Sequence, residues 1–377
     1  MTRVLIMLRK ARHRLTDCYR FVVLDEIATD VRRAKIAPIS TDRHREDGNS
    51  KQSARGSLQA MINVLLFAEL TPAVREIYAS SLRSEFPQLQ VGTAASREEA
   101  LQSIGQTDVL LTFTPMMSDV ILKAAHRLKW VQALGTGVDN LIDLASLRPE
   151  VLVTNMRGIH GAPVSEAALS SMLALSRRLP EFVRNQDRAL WRRWPARLLN
   201  GKCVGILGVG VIAETLAPIC KAFGMEVLGF SSEPRTVPGF NAIHRRSDLR
   251  SMAGRLDYLV LLAPLSDATR NIIDADMLAA MKPSAFLINL ARGGVVDEGA
   301  LVEALTKGTI SGAALDVFNE EPLPSDNPLW GLKNVLITTH QGGFCDVYPR
   351  LALPIISQNI RLFLDGRTDQ MVNRIHR

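Results

Sequence analysis

Six short apolar runs, "CVGIL", "EVLGF", "YLVLLA", "AFLINL", "GAALDV" and "NVLITT", follow one another between residues 203 and 339, and helical segments separate most of them. Runs this short and this uniformly apolar read as strands covered on both faces. Strands of that kind need crossover helices, so the segment is committed to a doubly wound parallel sheet. An upstream set, "INVLLF", "DVLLTF", "LKWVQAL" and "VLVTN", predicts a second α/β unit over roughly 62–155. Between the two lies a helix-rich connection, "PVSEAALSSMLALSRRLPEF". Its residues Ala167, Ser171, Ala174 and Leu175 share one face, and the segment reads as a hinge. The tail "LALPIISQNIRLFLDG" has amphipathic spacing interrupted by Pro354, which predicts a kinked or delayed helix.

A chain of 377 residues exceeds what one core ordinarily serves, roughly 250–300 residues, which agrees with two domains. No apolar run approaches the ~18 residues of a membrane span. Four scattered cysteines, Cys18, Cys203, Cys220 and Cys345, show neither metal-ligand spacing nor a disulfide framework, so reduced thiols and a cytoplasmic location are expected. No metal site is expected either. The net charge of +7 would suit a nucleic-acid partner, but residues 1–60 hold thirteen Lys and Arg against seven Asp and Glu. Nearly all the basicity thus belongs to this polar extension, which is expected to be disordered, and neither nucleic acid nor membrane is an expected partner. Six Lys and Arg against one acid in the first twenty residues would fit an organelle presequence. The favoured expectation is a start at Met61, directly before "INVLLF".

The stretch "GILGVGVIAETLA", 205–217, places a glycine turn between a strand and a helix whose Ile212, Leu216, Ile219 and Phe223 share a face. Gly208 permits the tight turn and Gly210 lets backbone approach a pyrophosphate. Ala213 is small enough for the close helix–strand packing that a third glycine usually serves. The pyrophosphate would sit on the free N–H groups of the helix N-terminus. Pro218 should bend that helix. An acidic residue at the end of the next strand would hold the ribose 2′-hydroxyl of NAD. Ser231 and Ser232 stand there instead, with Arg235 just beyond, which leans toward NADP(H) over NAD(H), although Glu233 could oppose it.

Three more strands end in polar groups: Arg292 after "LINLA", Glu321 beyond "ALDVFNE" with Asp316 upstream, and His340 after "LITT". All three lie at the carboxyl edge that carries Gly208 and Gly210, where open α/β sheets bind ligands. Singly, each has an ordinary structural explanation: a surface charge, a helix-capping acid, a core histidine. Together they supply what reduction of a 2-oxo acid needs. Arg offers a bidentate fork to a carboxylate. A histidine donates a proton beside the carbonyl oxygen, and an acid next to an imidazole favours its charged form and fixes its tautomer.

These features resemble the D-isomer-specific 2-hydroxyacid dehydrogenase family over nearly everything after Met61. The resemblance rests on "GVGVIA", "HGAPVSEAAL", "MKPSAFLINLARGGVVDEGALVEAL", "ALDVFNEEPLPSDNPLW" and "TTHQGG". It implies catalytic roles for Arg292, Glu321 and His340, with Arg292 anchoring substrate, Glu321 partnering the histidine and His340 as acid/base. It implies that Leu134, Gly135, Thr136 and Gly137 of "LGTGVDN" hold the substrate carboxylate through backbone N–H groups. It implies a cofactor surface from Gly208, Gly210, Val211, Ile212, Ser231, Ser232 and Arg235 on one side. Pro264, Thr269, Leu290, Ala291, Arg292, Asp316, His340 and Gly342 complete it, with Asp316 meeting the nicotinamide carboxamide. Thr339 departs from the proline that commonly precedes the histidine, which would loosen His340. Family members similar at the serine position tend to reduce glyoxylate or hydroxypyruvate with NADPH. Trp191 and Trp194 fall in a region that such proteins use for dimer contact, so a homodimer is expected, with ordinary aromatic packing the alternative. His160, near the hinge, either faces the cleft or is structural.

The expected architecture is therefore α/β: a Rossmann dinucleotide-binding domain over 156–345, and a flavodoxin-like α/β substrate domain over 62–155 plus 346–377. The expected activity is hydride transfer between nicotinamide and C2 of a small 2-oxo or D-2-hydroxy acid. A non-catalytic nicotinamide-sensing binding protein is the alternative, disfavoured by the complete Arg–Glu–His set. Formate oxidation is a third reading, for which Glu321 would be replaced.

Overall fold

The computed structural model describes residues 61–377, so the readings of residues 1–60, Cys18 among them, lie outside the described residues. Two sheets carry the fold, and every strand pair in them is parallel. The first contains β1 (Ile62–Phe67), β2 (Leu89–Ala94), β3 (Val109–Thr112), β4 (Trp130–Ala133) and β5 (Leu152–Thr154), in the order β2-β1-β3-β4-β5. That is the flavodoxin-like order. The second contains β6 (Cys203–Leu207), β7 (Glu226–Ser231), β8 (Ala242–Arg245), β9 (Tyr258–Leu261), β10 (Phe286–Asn289), β11 (Gly312–Leu315) and β12 (Val335–Ile337). Its order, β12-β11-β10-β9-β6-β7-β8, is the dinucleotide-binding arrangement with one strand added at the edge. Both sheets belong to one compact unit, 59–377.

Alternation along each strand explains the layers. In the first sheet Leu65, Phe67, Leu110 and Val131 face one core, while Val64, Leu66, Leu111 and Trp130 face the other. In the second, Val204, Ile206, Val260 and Ile288 oppose Leu207, Leu259, Leu261 and Leu287. Two strands, β2 and β8, were not expected from the sequence. Both are edge strands with partly exposed residues, "LQVGTA" and "AIHR", so neither forms the continuous apolar run that marks a central strand.

Three helical expectations need correction. The helix Gly161–Arg177 buries Ser171 and Leu175 of the expected face together with Val164, Ala168 and Met172, while Ala167 and Ala174 are only half-buried. Its Ala168, Met172 and Leu175 join the core of the second sheet. The helix Val211–Ala222 buries Ala213, Leu216, Ala217 and Cys220 instead of the face through Ile212 and Phe223. Small Ala213 lets that side approach the sheet, which turns Ile219 to the flank and leaves Phe223 exposed. The helix runs on through Pro218, which is exposed.

The C-terminal helix, Tyr348–Leu364, begins six residues before Pro354 and is not delayed. Pro354 lies on its exposed side, where the carbonyl that loses its donor can face water. Its Tyr348, Ala352, Ile356 and Ile360 pack on the first sheet. A buried polar chain fixes its register: Asn359 Nδ2 donates to Gln132 Oε1 (3.0 Å), which also accepts from Thr154 Oγ1 (2.8 Å), and Trp130 Nε1 donates to Thr154 Oγ1 (2.8 Å). Leaving one such group unpartnered costs about 1–3 kcal/mol, so the chain specifies one docking of the helix.

Candidate active site

The loop after β4 has an asymmetry that defines what it can bind. Each carbonyl from 134 to 137 is engaged: Leu134 O accepts from Tyr348 Oη, Gly135 O from Met156 N (3.0 Å), Thr136 O from Asn155 Nδ2 (2.7 Å) and Gly137 O from Thr114 Oγ1 (3.1 Å). The amides of Gly135, Thr136 and Gly137 have no protein acceptor among the described residues. A loop with its acceptors occupied and successive donors free is a site for an anion.

Arg292, just past β10, closes on this loop. Its Nε donates to Asp139 Oδ2 (3.0 Å) and its Nη1 to Ala291 O (2.7 Å). The guanidinium packs against Gly137.

Past β12, His340 Nδ1 lies 2.7 Å from Glu321 Oε2, while Phe318 N donates to Glu321 Oε1 (3.0 Å). An acceptor carboxylate at Nδ1 places the proton there and leaves Nε2 free to face a ligand. Among the described residues Nε2 has no hydrogen-bond partner. Burial pushes the Glu321 carboxyl up. The hydrogen bonds from His340 and Phe318, with the charges of His340 and Arg292, outweigh it and hold the group below the ordinary range. His340 itself is in the left-handed region (φ 55°), a conformation that costs energy and needs support.

Asp316 supplies that support. It is 3% exposed, its backbone carbonyl accepts from His340 N (2.8 Å), and its carboxylate accepts from Thr338 Oγ1, Gln341 N (2.8 Å) and Gly342 N (2.8 Å). The loop that lacks a proline before its histidine is thus tied down by an acid. Asp316 is occupied with this loop, and Leu290 and Gly342 pack beside it.

At the glycine turn, Gly208 has φ 97°, and a side chain there would strike the Ala263 backbone. Gly210 opens onto free space and caps the helix Val211–Ala222, whose first amides, those of Val211, Ile212 and Ala213, have no protein acceptor among the described residues. The turn therefore fits a dinucleotide pyrophosphate. Arg235 lies over it, its Nη2 donating to Val209 O (2.8 Å) and pairing with Glu214 (2.9 Å). Ser231 Oγ donates to Glu233 O, Ser232 is exposed, and Arg245 stands beside Ser231 in register. Thr269 is buried, with its hydroxyl spent on Pro264 O (2.7 Å), so it shapes the Pro264 turn and does not present its hydroxyl to a ligand. Among the described residues no cluster of three or more His, Cys, Asp and Glu could hold a metal.

The structure thus gathers the 134–137 loop, Arg292, Glu321 and His340 in one region, with Asp316 beneath the His340 loop. Sequence reasoning missed Thr114, Asn155, Asp139 and Tyr348. Thr114 and Asn155 follow β3 and β5 closely, and the same polar-after-strand signal that marked Arg292 would have found them. Tyr348 has no local signal, since it lies 214 residues from its partner Leu134.

A parallel-sheet dinucleotide fold with an anion loop and a histidine–carboxylate pair defines a nucleotide-dependent acid/base protein. The description "D-isomer specific 2-hydroxyacid dehydrogenase, NAD binding domain" matches residues 169–342. The chain is 35% identical to a glyoxylate reductase of Aeropyrum pernix, covering 74% of this chain and 86% of that one. It is 36% identical to a D-3-phosphoglycerate dehydrogenase of Methanocaldococcus jannaschii over 78% of its own length, but spans only 57% of that relative. A D-isomer specific 2-hydroxyacid dehydrogenase from Xanthobacter autotrophicus, solved with NADPH and MES, superposes with TM-score 0.69 at 30% identity, covering 83% of this chain and 98% of that one. This chain belongs to the D-isomer-specific 2-hydroxyacid dehydrogenase family.

Proposed function

We propose that this protein is an NAD(P)-dependent reductase of small 2-oxo acids, acting on glyoxylate or hydroxypyruvate, with NADP(H) used in preference to NAD(H). The observation that carries the reading is the 134–137 loop, whose carbonyls are all engaged and whose three amides are free, packed by Arg292, whose charge acts on Glu321 of the His340–Glu321 pair.

The loop amides and the Arg292 fork hold the substrate carboxylate, which fixes the 2-oxo carbon and orients its oxygen. His340 Nε2 donates a proton to that oxygen, and Glu321 holds the ring in the donating orientation and stabilises its charge. Gly208, Gly210 and the amides of Val211 and Ile212 hold the dinucleotide pyrophosphate, with Pro264, Leu290, Ala291 and Gly342 along the same edge. A bound reduced nicotinamide supplies the hydride. Ser231, Ser232, Arg235 and Arg245 form the side that receives the ribose; two small hydroxyls with two guanidiniums suit a 2′-phosphate, against the nearby carboxylates of Glu233 and Glu214. The NADPH complex of the Xanthobacter relative supports the same choice.

The domain division that supports this chemistry is a substrate domain over 62–155 plus 346–377 and a cofactor domain over 156–345. Docking of Tyr348–Leu364 on the first sheet favours it. A homodimer and a cytoplasmic location complete the proposal. Trp191 is 93% exposed, in a stretch that also leaves Leu190 and Leu198 exposed, which suits burial against a second copy. Cys203, Cys220 and Cys345 are free thiols, and no helix among the described residues is long and apolar enough to cross a membrane.

The test is steady-state oxidation of NADPH and NADH with glyoxylate, hydroxypyruvate, pyruvate and 3-phosphohydroxypyruvate. Turnover fastest with NADPH and one of the first two supports the proposal. Cofactor binding without turnover of any of them would favour a nicotinamide-sensing binding protein instead.

A further inference from the structure

His160 caps the helix Gly161–Arg177 and is 9% exposed, yet its ring is not a passive filler. Nδ1 lies 2.9 Å from Thr136 Oγ1, and Nε2 lies 3.0 Å from Tyr348 Oη. The Tyr348 hydroxyl donates to Leu134 O. The Tyr348 bond fixes one proton, since a carbonyl can only accept. Tyr348 has spent its hydrogen on Leu134, so its oxygen accepts from Nε2–H. A neutral imidazole protonated at Nε2 has only an acceptor left at Nδ1, so Thr136 donates to it.

The circuit leaves the anion loop at Thr136 and returns to it at Leu134. It passes through the N-termini of two helices that pack on different sheets. The same ring borders the loop that carries the acid/base residue, since a Cβ on Gly343 would come within 2.9 Å of His160 Cδ2. His160 therefore touches both the 134–137 loop and the loop that presents His340.

We propose that His160 is a positioning residue that sets the anion loop against the His340 loop by holding Thr136 and Tyr348 in a single hydrogen-bonded arrangement. The proposal rests on the reading of 134–137 as the carboxylate loop. Burial, with the nearby Arg292 charge adding to it, pushes His160 below the ordinary imidazole range against the opposing Met156 backbone hydrogen bond. The neutral ring that the circuit needs is thereby favoured.

The test compares His160→Leu, which removes both nitrogens, with His160→Gln, which keeps one acceptor and one donor, in the full chain. The first readout is hydrogen exchange at the Met156 amide, which donates to Gly135 O. The second is KM for the 2-oxo acid against kcat and NADPH affinity. In the Leu variant the Met156 amide should exchange about tenfold faster, with the interior of Gly161–Arg177 unchanged. KM should rise about tenfold while NADPH affinity holds, and the Gln variant should recover most of both. Wild-type exchange and wild-type KM in the Leu variant would overturn the proposal. So would loss of protection throughout the helix with no recovery by Gln, which marks a purely structural residue. If the unaltered protein reduces no 2-oxo acid, the proposed activity fails by itself, and exchange at Met156 still decides what His160 does.

Discussion

Gly137 and Arg292 are packed so closely that a Cβ on the glycine would fall 1.4 Å from Nη2 of the guanidinium. The position demands glycine because the arginine occupies the space, not because the backbone is in a left-handed conformation. Gly137→Ala should therefore displace a flexible side chain and leave the fold intact. Displacing one charge-assisted contact of about 1.5–3 kcal/mol raises KM for the 2-oxo acid by about 10- to 100-fold. Steady-state kinetics beside a thermal melt check this, and an unchanged KM would remove Arg292 from the carboxylate site.

His340→Ala should lower kcat by about 10²–10⁴, the usual contribution of a positioned acid, while NADPH still binds. Equilibrium fluorescence titration with NADPH separates the two effects. Full turnover would sink the acid/base assignment.

The Glu321 carboxyl is held below its ordinary value in the folded protein, so its pairing stabilises the fold above the unfolded pKa of a glutamate. That contribution is lost as pH falls through the lower folded value. Glu321→Gln should therefore melt below the wild type at neutral pH, with the gap closing as the solution is made acidic. A gap that stays constant down to pH 3 would contradict the pairing.

Asp316→Asn replaces an acceptor of three donors with a group that can accept through one oxygen only. The side chain is buried, so an unpartnered donor opposite Gln341 N or Gly342 N costs about 1–3 kcal/mol. Both Tm and kcat should fall, because the left-handed His340 loses its anchor. A variant with normal kcat and lowered Tm would show that the loop holds without the acid.

Arg235→Ala should weaken NADPH more than NADH, by about tenfold, by removing a guanidinium from the ribose side of the glycine turn. The ratio of kcat/KM for the two cofactors measures it. Equal losses would assign Arg235 to bracing the turn through Val209 O and Glu214.

What the sequence made legible follows from where a signal is local. Central strands such as β6 and β10 are buried at every position, and the residues close behind them, Gly208 and Arg292, mark the edge. Edge strands β2 and β8 are half-solvated and lose that mark. The face of Val211–Ala222 was misread because periodicity weighs large side chains, whereas the close approach to the sheet selects the small ones, Ala213 and Ala217. Tyr348 and Asn359 act on residues more than 200 positions away, and no window on the sequence joins such pairs.

The contact of Tyr348 with Leu134 also orders events during folding. Its closure spans 214 residues, with all seven strands of the second sheet in between. Local strand–helix units can form early, whereas a pairing of that span gains its reward only after the intervening chain has condensed. The bonds that hold 135–137, from Met156, Asn155 and Thr114, close over about 20 residues, so the loop can be shaped early and sealed by Tyr348 only when the chain's end docks.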